Sequence, residues 1–229
     1  AGPNLGYAHR IDDLAIVALD LRSERSTTQV MSPAAWDAAF KWIDGQQGLA
    51  HLIVMTSIPV VFVDLAAVED ALGFVPGQQE LEDDLRDHWC SRGHQGERLR
   101  LIHRLLDFGA ARGTRVTIVS GDVHVAAIGV IESSRDDQLQ VISQLISSGI
   151  MHPPAPAIVV YALGKLFSAG GAIDRGIELS MQAFPGGKRK LMAARNWLSL
   201  EPDAAWATSR KRLWANWHVE REAEPYTKV

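Results

Sequence analysis

The chain has 229 residues, enough for one large domain or two small ones with a substantial hydrophobic core. Its 23 lysines and arginines against 27 aspartates and glutamates give a formal net charge of −4, which argues against a nucleic-acid binder or an anionic-membrane binder. Hydrophobic residues at 47% exclude a disordered chain, the single cysteine excludes an internal disulfide, and no apolar run reaches the roughly 18 residues of a membrane span.

The first elements alternate between strand and helix. Residues 14–19 form a short apolar run followed by Asp20, which predicts a strand buried on both faces. The Ser-Pro pair at 32–33 is typical of a helix start, and apolar residues then recur at helical spacing until Gly45. Residues 52–63 predict a second buried strand, in which Pro59 marks a bend or the end of the strand.

The middle of the chain continues this alternation. Residues 64–72 and 80–89 predict short helices, the second of them acidic. A stronger helix follows His94 and ends at Gly113, with its arginines on the side away from the apolar face. Residues 116–119 predict a third buried strand.

The last third is predicted to be mainly antiparallel. Residues 125–131 and 139–142 favour a hairpin, and residues 158–167 favour a helix. Three further strands are predicted at 177–184, 196–200 and 213–220. The expected fold class is therefore α/β: one domain over residues 1–229, a layered β-sandwich flanked by helices, whose mixed sheet has antiparallel C-terminal strands.

The sharpest local motif is Gly-Asp-Val-His at 121–124, directly after the third buried strand. The carboxyl ends of such strands are where α/β sheets place ligands. Asp122 and His124 offer a carboxylate and an imidazole, a suitable pair for Zn, Mn or Fe. The alternative is structural: Asp122 caps a turn and His124 is a hydrogen-bonded loop histidine.

A second motif lies at 20–25, again after a buried strand. Arg22 and Arg25 would clamp a phosphate there, or would instead pair with the neighbouring carboxylates Asp20 and Glu24. A third lies at 83–89 and extends to His94, and it has a solvated acidic helix face as its alternative. Hydrolase elbows, His-Glu-x-x-His pairs, P-loops and dinucleotide glycine motifs are absent from the sequence.

In their order, these segments resemble the PhoD-like (alkaline phosphatase D) branch of the calcineurin-like metallophosphoesterases. The matching stretches are 19–25, 57–60, 83–89 with 94 and 97–98, 116–124, 146–150 with 153–154, and 195–197. The resemblance implies a four-layer α/β/β/α fold and hydrolysis of a phosphoester by a hydroxide held between two metal ions. The ions would be divalent or trivalent, with Fe, Zn, Mn and Ca left open.

The same resemblance assigns residues. His124 would be a metal ligand, and Asp122 would be a ligand or a group that orients one. Arg22 and His94 would be catalytic. The wider superfamily has a metal-binding histidine at the end of the preceding strand, where this chain reads Met-Thr-Ser at 55–57. That ligand is therefore either missing or supplied from elsewhere, with His94 as a candidate.

The superfamily's N-terminal metal motifs have no counterpart in the sequence. The chain is therefore expected to be the C-terminal half of a PhoD-like domain, supplying part of a site that needs six or more ligands. We expect the face left by the missing half to favour self-association. The alternative function is a non-catalytic interaction or scaffold module derived from the same fold.

Overall fold

A computed structural model describes residues 4–62, 89, 93–135, 138–147, 149–151, 153–154, 160, 164, 171–205 and 212–228. The helices predicted at 64–72, 80–89 and 158–167 fall wholly or mostly outside these residues. The described elements are β1 (Tyr7–Ile11), β2 (Leu14–Ala18), α1 (Pro33–Asp44), β3 (His51–Thr56), α2 (Gln95–Arg112), β4 (Arg115–Ser120), β5 (Ala126–Ser133), β6 (Gln140–Ile146), β7 (Gly171–Asp174), β8 (Ile177–Gln182), β9 (Leu191–Met192), β10 (Asn196–Pro202), β11 (Leu213–Val219) and β12 (Tyr226–Lys228).

Two sheets organise these elements. The large sheet has the order β1-β2-β3-β4-β6-β5-β8-β7, with β9 paired to β5. Strands β2, β3, β4 and β6 run parallel, whereas the β5, β7, β8 and β9 pairings are antiparallel. The small sheet is the antiparallel set β10-β11-β12. The predicted fold class, a layered α/β arrangement with a mixed sheet and antiparallel C-terminal strands, is confirmed.

Each helix follows from its local sequence. In α1 the Ser32 hydroxyl accepts a hydrogen bond from the amide of Ala35 at 3.2 Å, and the helix buries its apolar stripe as predicted. In α2 the helix ends at Gly113, whose φ of 61° needs the left-handed region that glycine adopts without cost. The helix packs against β4 and β6.

The prediction that Arg98 points away from the core is wrong. Its side chain is buried, and its Nε donates to the carbonyl oxygen of Val60 at 2.7 Å. The position shares a face with Leu101, Leu105 and Phe108, which are buried. A long side chain with a partner at its tip is tolerated on such a face because the hydrogen bond offsets the cost of burying the charge.

The large sheet is covered differently on its two faces. Residues such as Leu52, Val54 and Ile118 belong to the main core, which also contains residues of α1 and α2. The small sheet packs on the other face, where Trp217 is fully buried and donates its indole N–H to the carbonyl oxygen of Ile146 at 2.9 Å. The two layers predicted for the sandwich are therefore both present.

Two strand predictions need correction, and the described strands β1, β7, β9 and β12 were not predicted. The second predicted strand is shorter, since β3 ends at Thr56, before the proline at 59. Strand β2 is buried on one face and only half-buried on the other, where Leu14 and Ile16 line a groove between the sheets. Among the residues that the structure describes, no helix is long and apolar enough to cross a membrane.

Candidate functional site

The candidate site lies at one edge of the large sheet. Strands β2, β3, β4 and β6 are parallel neighbours, so the segments that follow them meet at the same edge. Those segments begin at Leu19, Ser57, Gly121 and Ser147. The sheet is tied together here by two backbone hydrogen bonds, from Leu19 N to Met55 O and from Ser147 N to Ser120 O, both 3.0 Å.

The Gly-Asp-Val-His turn has an unusual backbone. Asp122 and His124 both adopt positive φ, 78° and 55°, and the amide of Val123 bonds back to the carbonyl of Gly121 at 3.1 Å. Aspartate and histidine are among the non-glycine residues that tolerate this region best, yet it still carries strain. Strained, well-determined turns of this kind concentrate at functional sites. The sequence gives the residue types but no sign of the left-handed geometry.

The structure brings Arg22 and Asp122 together across 100 residues of chain. A guanidinium nitrogen of Arg22 lies 2.7 Å from Asp122 Oδ1. The Asp122 side chain is 19% exposed and that of Arg22 is 53% exposed, so the carboxylate is mostly covered and the guanidinium faces solvent. The motif at 20–25 therefore contacts the motif at 121–124, as a site shared by the two requires.

The described contact of Arg22 is to Asp122, so the predicted pairing of Arg22 and Arg25 with Asp20 and Glu24 stays an open alternative. Asp20 accepts the amides of Leu5, Arg22 and Ser23 at 2.7–3.0 Å. The hydroxyl of Ser23, followed by the amide of Leu5, holds the pKa of Asp20 far below its ordinary range. Asp20 therefore acts as the anchor that shapes the turn from which Arg22 extends.

Glu24 anchors the far side of the same loop. Its carboxylate accepts the hydroxyl of Ser32 at 2.7 Å, the amide of Ser32 at 3.1 Å and the side-chain amide of Asn4 at 3.0 Å. The Ser32 hydroxyl is the main cause of a lowered pKa for Glu24, and the Asn4 amide is the next. The loop is thus tied to the start of α1.

Glu97 is a structural residue whose part the sequence did not reveal. Its carboxylate accepts the amides of Val30 and Met31 at 2.8 and 3.1 Å and the indole N–H of Trp36. It therefore pins the end of the Arg22 loop to α2. The only signal in the sequence was its place beside Arg98 in the matching stretches.

His94 lies beneath this loop. It is 1% exposed, and its Nε2 lies 2.9 Å from the carbonyl oxygen of Ser26. This contact places His94 against the segment that carries Arg22. Its catalytic part stays a prediction, and the acidic stretch 83–88 that precedes it lies outside the described residues.

The predicted metal site can be compared with the metal-binding side chains that the described residues provide. Asp122 and His124 supply a carboxylate and an imidazole two residues apart, which fits one side of a divalent-metal site. Within the described ranges, however, there is no group of three or more His, Cys, Asp or Glu side chains able to hold a metal ion. The described residues therefore do not form a complete metal centre, and metal binding by Asp122 and His124 stays a prediction.

An apolar groove of about 490 Å³ adjoins this edge between the two sheets. One wall carries Ile16, Ile53 and Met55 of the large sheet, and the other carries Trp197 and Leu198 of the small sheet. Met55 is 40% exposed and Trp197 is 47% exposed. Large apolar side chains left this open are characteristic of interaction surfaces and of ligand-binding grooves.

A layered fold with the Gly-Asp-Val-His turn at the carboxyl edge of its parallel strands is the arrangement that the resemblance to the metallophosphoesterases implies. Within that class the chain resembles the PhoD-like branch, and the comparison with families bears this resemblance out: a profile described as PhoD related phosphatase matches residues 71–168. The match is less than half of the chain. It includes His94, Asp122 and His124, while Arg22 lies outside it.

Individual proteins similar to this chain include one sequence relative and two solved structures. An uncharacterised protein of Saccharomyces cerevisiae is 31% identical over 201 residues, covering 66% of this chain and 28% of its own length. Among solved structures, the structure of PhoD matches with a TM-score of 0.52 and 10% identity, covering 98% of this chain and 44% of PhoD. A purple acid phosphatase from yellow lupin (Lupinus luteus) seeds matches with a TM-score of 0.42 and 9% identity over 98% of this chain and 32% of its own. The chain therefore spans less than half the length of each of these proteins.

Proposed function

We propose that this chain supplies one side of the active centre of a metal-dependent phosphoester hydrolase, acting on phosphomonoesters or phosphodiesters. The observation that carries the proposal is the Arg22–Asp122 contact at 2.7 Å, which joins two motifs 100 residues apart beside His124. The match to a PhoD-related phosphatase profile supports the same reaction class.

Each residue has a part that its environment suits. His124 and Asp122 would bind or orient metal ions, which in a two-metal centre supply the nucleophile and neutralise charge on the phosphoryl group. Arg22 is half exposed and can turn its guanidinium towards two phosphate oxygens at once. The carboxylates of Asp20, Glu24 and Glu97 position its loop, since their described contacts are to donors of this chain.

The remaining ligands would come from further polypeptide. Only two donors stand in the turn, whereas a two-metal centre needs about six. PhoD is more than twice as long as the portion of it that this chain covers, so the related fold contains additional chain. We propose that such a segment occupies the apolar groove beside the edge and completes the ligand set.

Metal binding gives the first test. Titration of the 229-residue chain with Mn²⁺, followed by electron paramagnetic resonance, should show weak binding that His124→Gln abolishes and Asp122→Asn weakens. Asp12→Asn is a matched control, because Asp12 is also an aspartate with positive φ but lies in the β1–β2 turn, at the other end of β2. Equal effects of the Asp12 and Asp122 variants would remove the support for this turn as the metal site.

Turnover gives the second test. The 229-residue chain should hydrolyse p-nitrophenyl phosphate and bis(p-nitrophenyl) phosphate only marginally with Mn²⁺ present. The longest natural product that contains this sequence should turn over at least one of them, and Arg22→Ala should raise its KM. A turnover of the 229-residue chain itself at ordinary enzymatic rates, about 1–10³ s⁻¹, would show that the site is complete without further polypeptide.

The alternative function is a non-catalytic interaction module. It is favoured by the open groove together with the incomplete ligand set of the described residues. In that case a second copy of the chain would cover the groove, and light scattering after size exclusion should show a dimer that Met55→Glu dissociates. A monomer that binds Mn²⁺ through His124 would favour the hydrolase.

A further inference from the structure

A second pocket lies between the two sheets, at the end opposite to the candidate metal turn. We call it the basal pocket; its volume is about 280 Å³. It opens beside His51 and Arg115, which begin β3 and β4 and are partners in the parallel register. Arg115 and Ser120 mark the two ends of β4, so the pocket is about 17 Å from the turn at 121–124, at about 3.3 Å per residue.

The charged side chains that line this pocket are all positive. Arg115 and Lys228 are among its eleven lining residues, and none of the eleven is acidic. Among the described residues neither side chain forms a salt bridge, although the chain as a whole is acidic, with a net charge of −4. Two uncompensated cations at one opening favour an anionic group between them.

The lining of the pocket contains both apolar side chains and hydrogen-bonding groups. Six of the eleven lining residues are aliphatic, among them Leu145 from the large sheet and Leu200 from the small sheet. Two polar lining residues, His51 and Thr117, are buried, and His51 Nε2 lies 2.8 Å from Thr117 Oγ1. Inorganic phosphate would leave the aliphatic wall in contact with water, and a neutral hydrocarbon would leave the cations unused.

We propose that the basal pocket binds a small organic anion with a short apolar body. Its carboxylate or phosphate group meets Arg115 and Lys228, and its body lies against Leu145 and Leu200. Binding here is separate from the proposed hydrolysis, because the pocket is at the other end of the parallel strands. The proposal therefore stands or falls independently of the metal site.

The test measures the binding of four probes to the 229-residue chain, by isothermal titration calorimetry for affinity and by ¹H–¹⁵N spectra for the residues affected. Octanoate and octyl phosphate carry the two head groups, octanol lacks the charge and inorganic phosphate lacks the chain. At least one octyl anion should bind about tenfold more tightly than octanol and phosphate, with shifts at Thr117 and Ser143. Equal binding of octanol, or shifts confined to other residues, would overturn the proposal.

Variants at Val141 provide a matched pair. This pocket residue is 46% exposed, so either charge can be introduced without burying it. Val141→Glu should weaken binding of the octyl anion about tenfold, whereas Val141→Lys should preserve or strengthen it. The Arg115→Gln/Lys228→Gln double variant should resemble Val141→Glu. Equal affinities of the two Val141 variants would show that the cations do not hold the ligand.

Discussion

The prediction with the clearest structural basis concerns Gln144, a fully buried residue in the middle of β6. Its Oε1 accepts the amides of Val60 and Val61 at 2.6 and 2.8 Å, and its Nε2 donates to the carbonyl oxygen of Val61 at 2.6 Å. Val61 also lies over Gly129, the register partner of Gln144, where an added Cβ would be only 3.0 Å away. One side chain therefore holds the segment after β3 onto the sheet.

Replacing Gln144 with leucine keeps the approximate volume and removes all three hydrogen bonds. Each buried backbone group left without a partner costs about 1–3 kcal/mol, so the variant should lose about 4 kcal/mol of unfolding free energy after partial relaxation. This is a large part of the 5–15 kcal/mol typical of a folded domain. In urea the unfolding midpoint should fall by about 1.5 M.

The assay is urea unfolding followed by tryptophan fluorescence and far-ultraviolet circular dichroism. Gln140→Leu is the control, because it makes the same substitution at a half-exposed position of the same strand. It should change stability by about 0.5 kcal/mol or less. A loss below about 1 kcal/mol for the Gln144 variant, relative to this control, would refute the assignment of its three hydrogen bonds.

Three further predictions follow from the candidate site. His124→Gly should be more stable than His124→Ala by about 1 kcal/mol, because only the alanine variant keeps a Cβ at φ 55°; equal thermal stability would mean that the turn is unstrained. Glu97→Gln should speed amide exchange at Val30 with little effect at the β-strand amides, and unchanged exchange would contradict its anchoring part. Asp20 and Glu24 have lowered pKa values in the folded state, so their stabilisation is complete above the unfolded values of 3.8 and 4.5 and is lost as pH falls through the lower folded values. The loss of stability in acid should therefore be smaller in Glu24→Gln than in the unsubstituted chain. Identical stability profiles against pH would exclude this linkage.

Local patterns predicted much of the fold. The Ser-Pro start and apolar spacing of α1, the glycine stop of α2 at Gly113, and the hairpin of β5 and β6 were all confirmed, since capping and periodicity act within a few residues. Strand β1 was not predicted, because it is an exposed edge strand with little hydrophobic pattern. Of the tryptophans in β10 and β11, Trp217 is fully buried, while Trp197 remains half exposed.

For the candidate site, the residue types in the two motifs were readable because metal and phosphate chemistry restricts them to a few side chains. Their joining was not, since the Arg22–Asp122 contact depends on β2 and β4 ending at one edge with β3 between them. The sequence therefore determined which local elements form and which residues are chemically able to act. Only the tertiary structure decided that Arg22 pairs with Asp122, that Arg98 and Gln144 are buried hydrogen-bonding groups, and that two pockets open between the sheets. Contacts between distant segments depend on strand order and register, which no local pattern encodes.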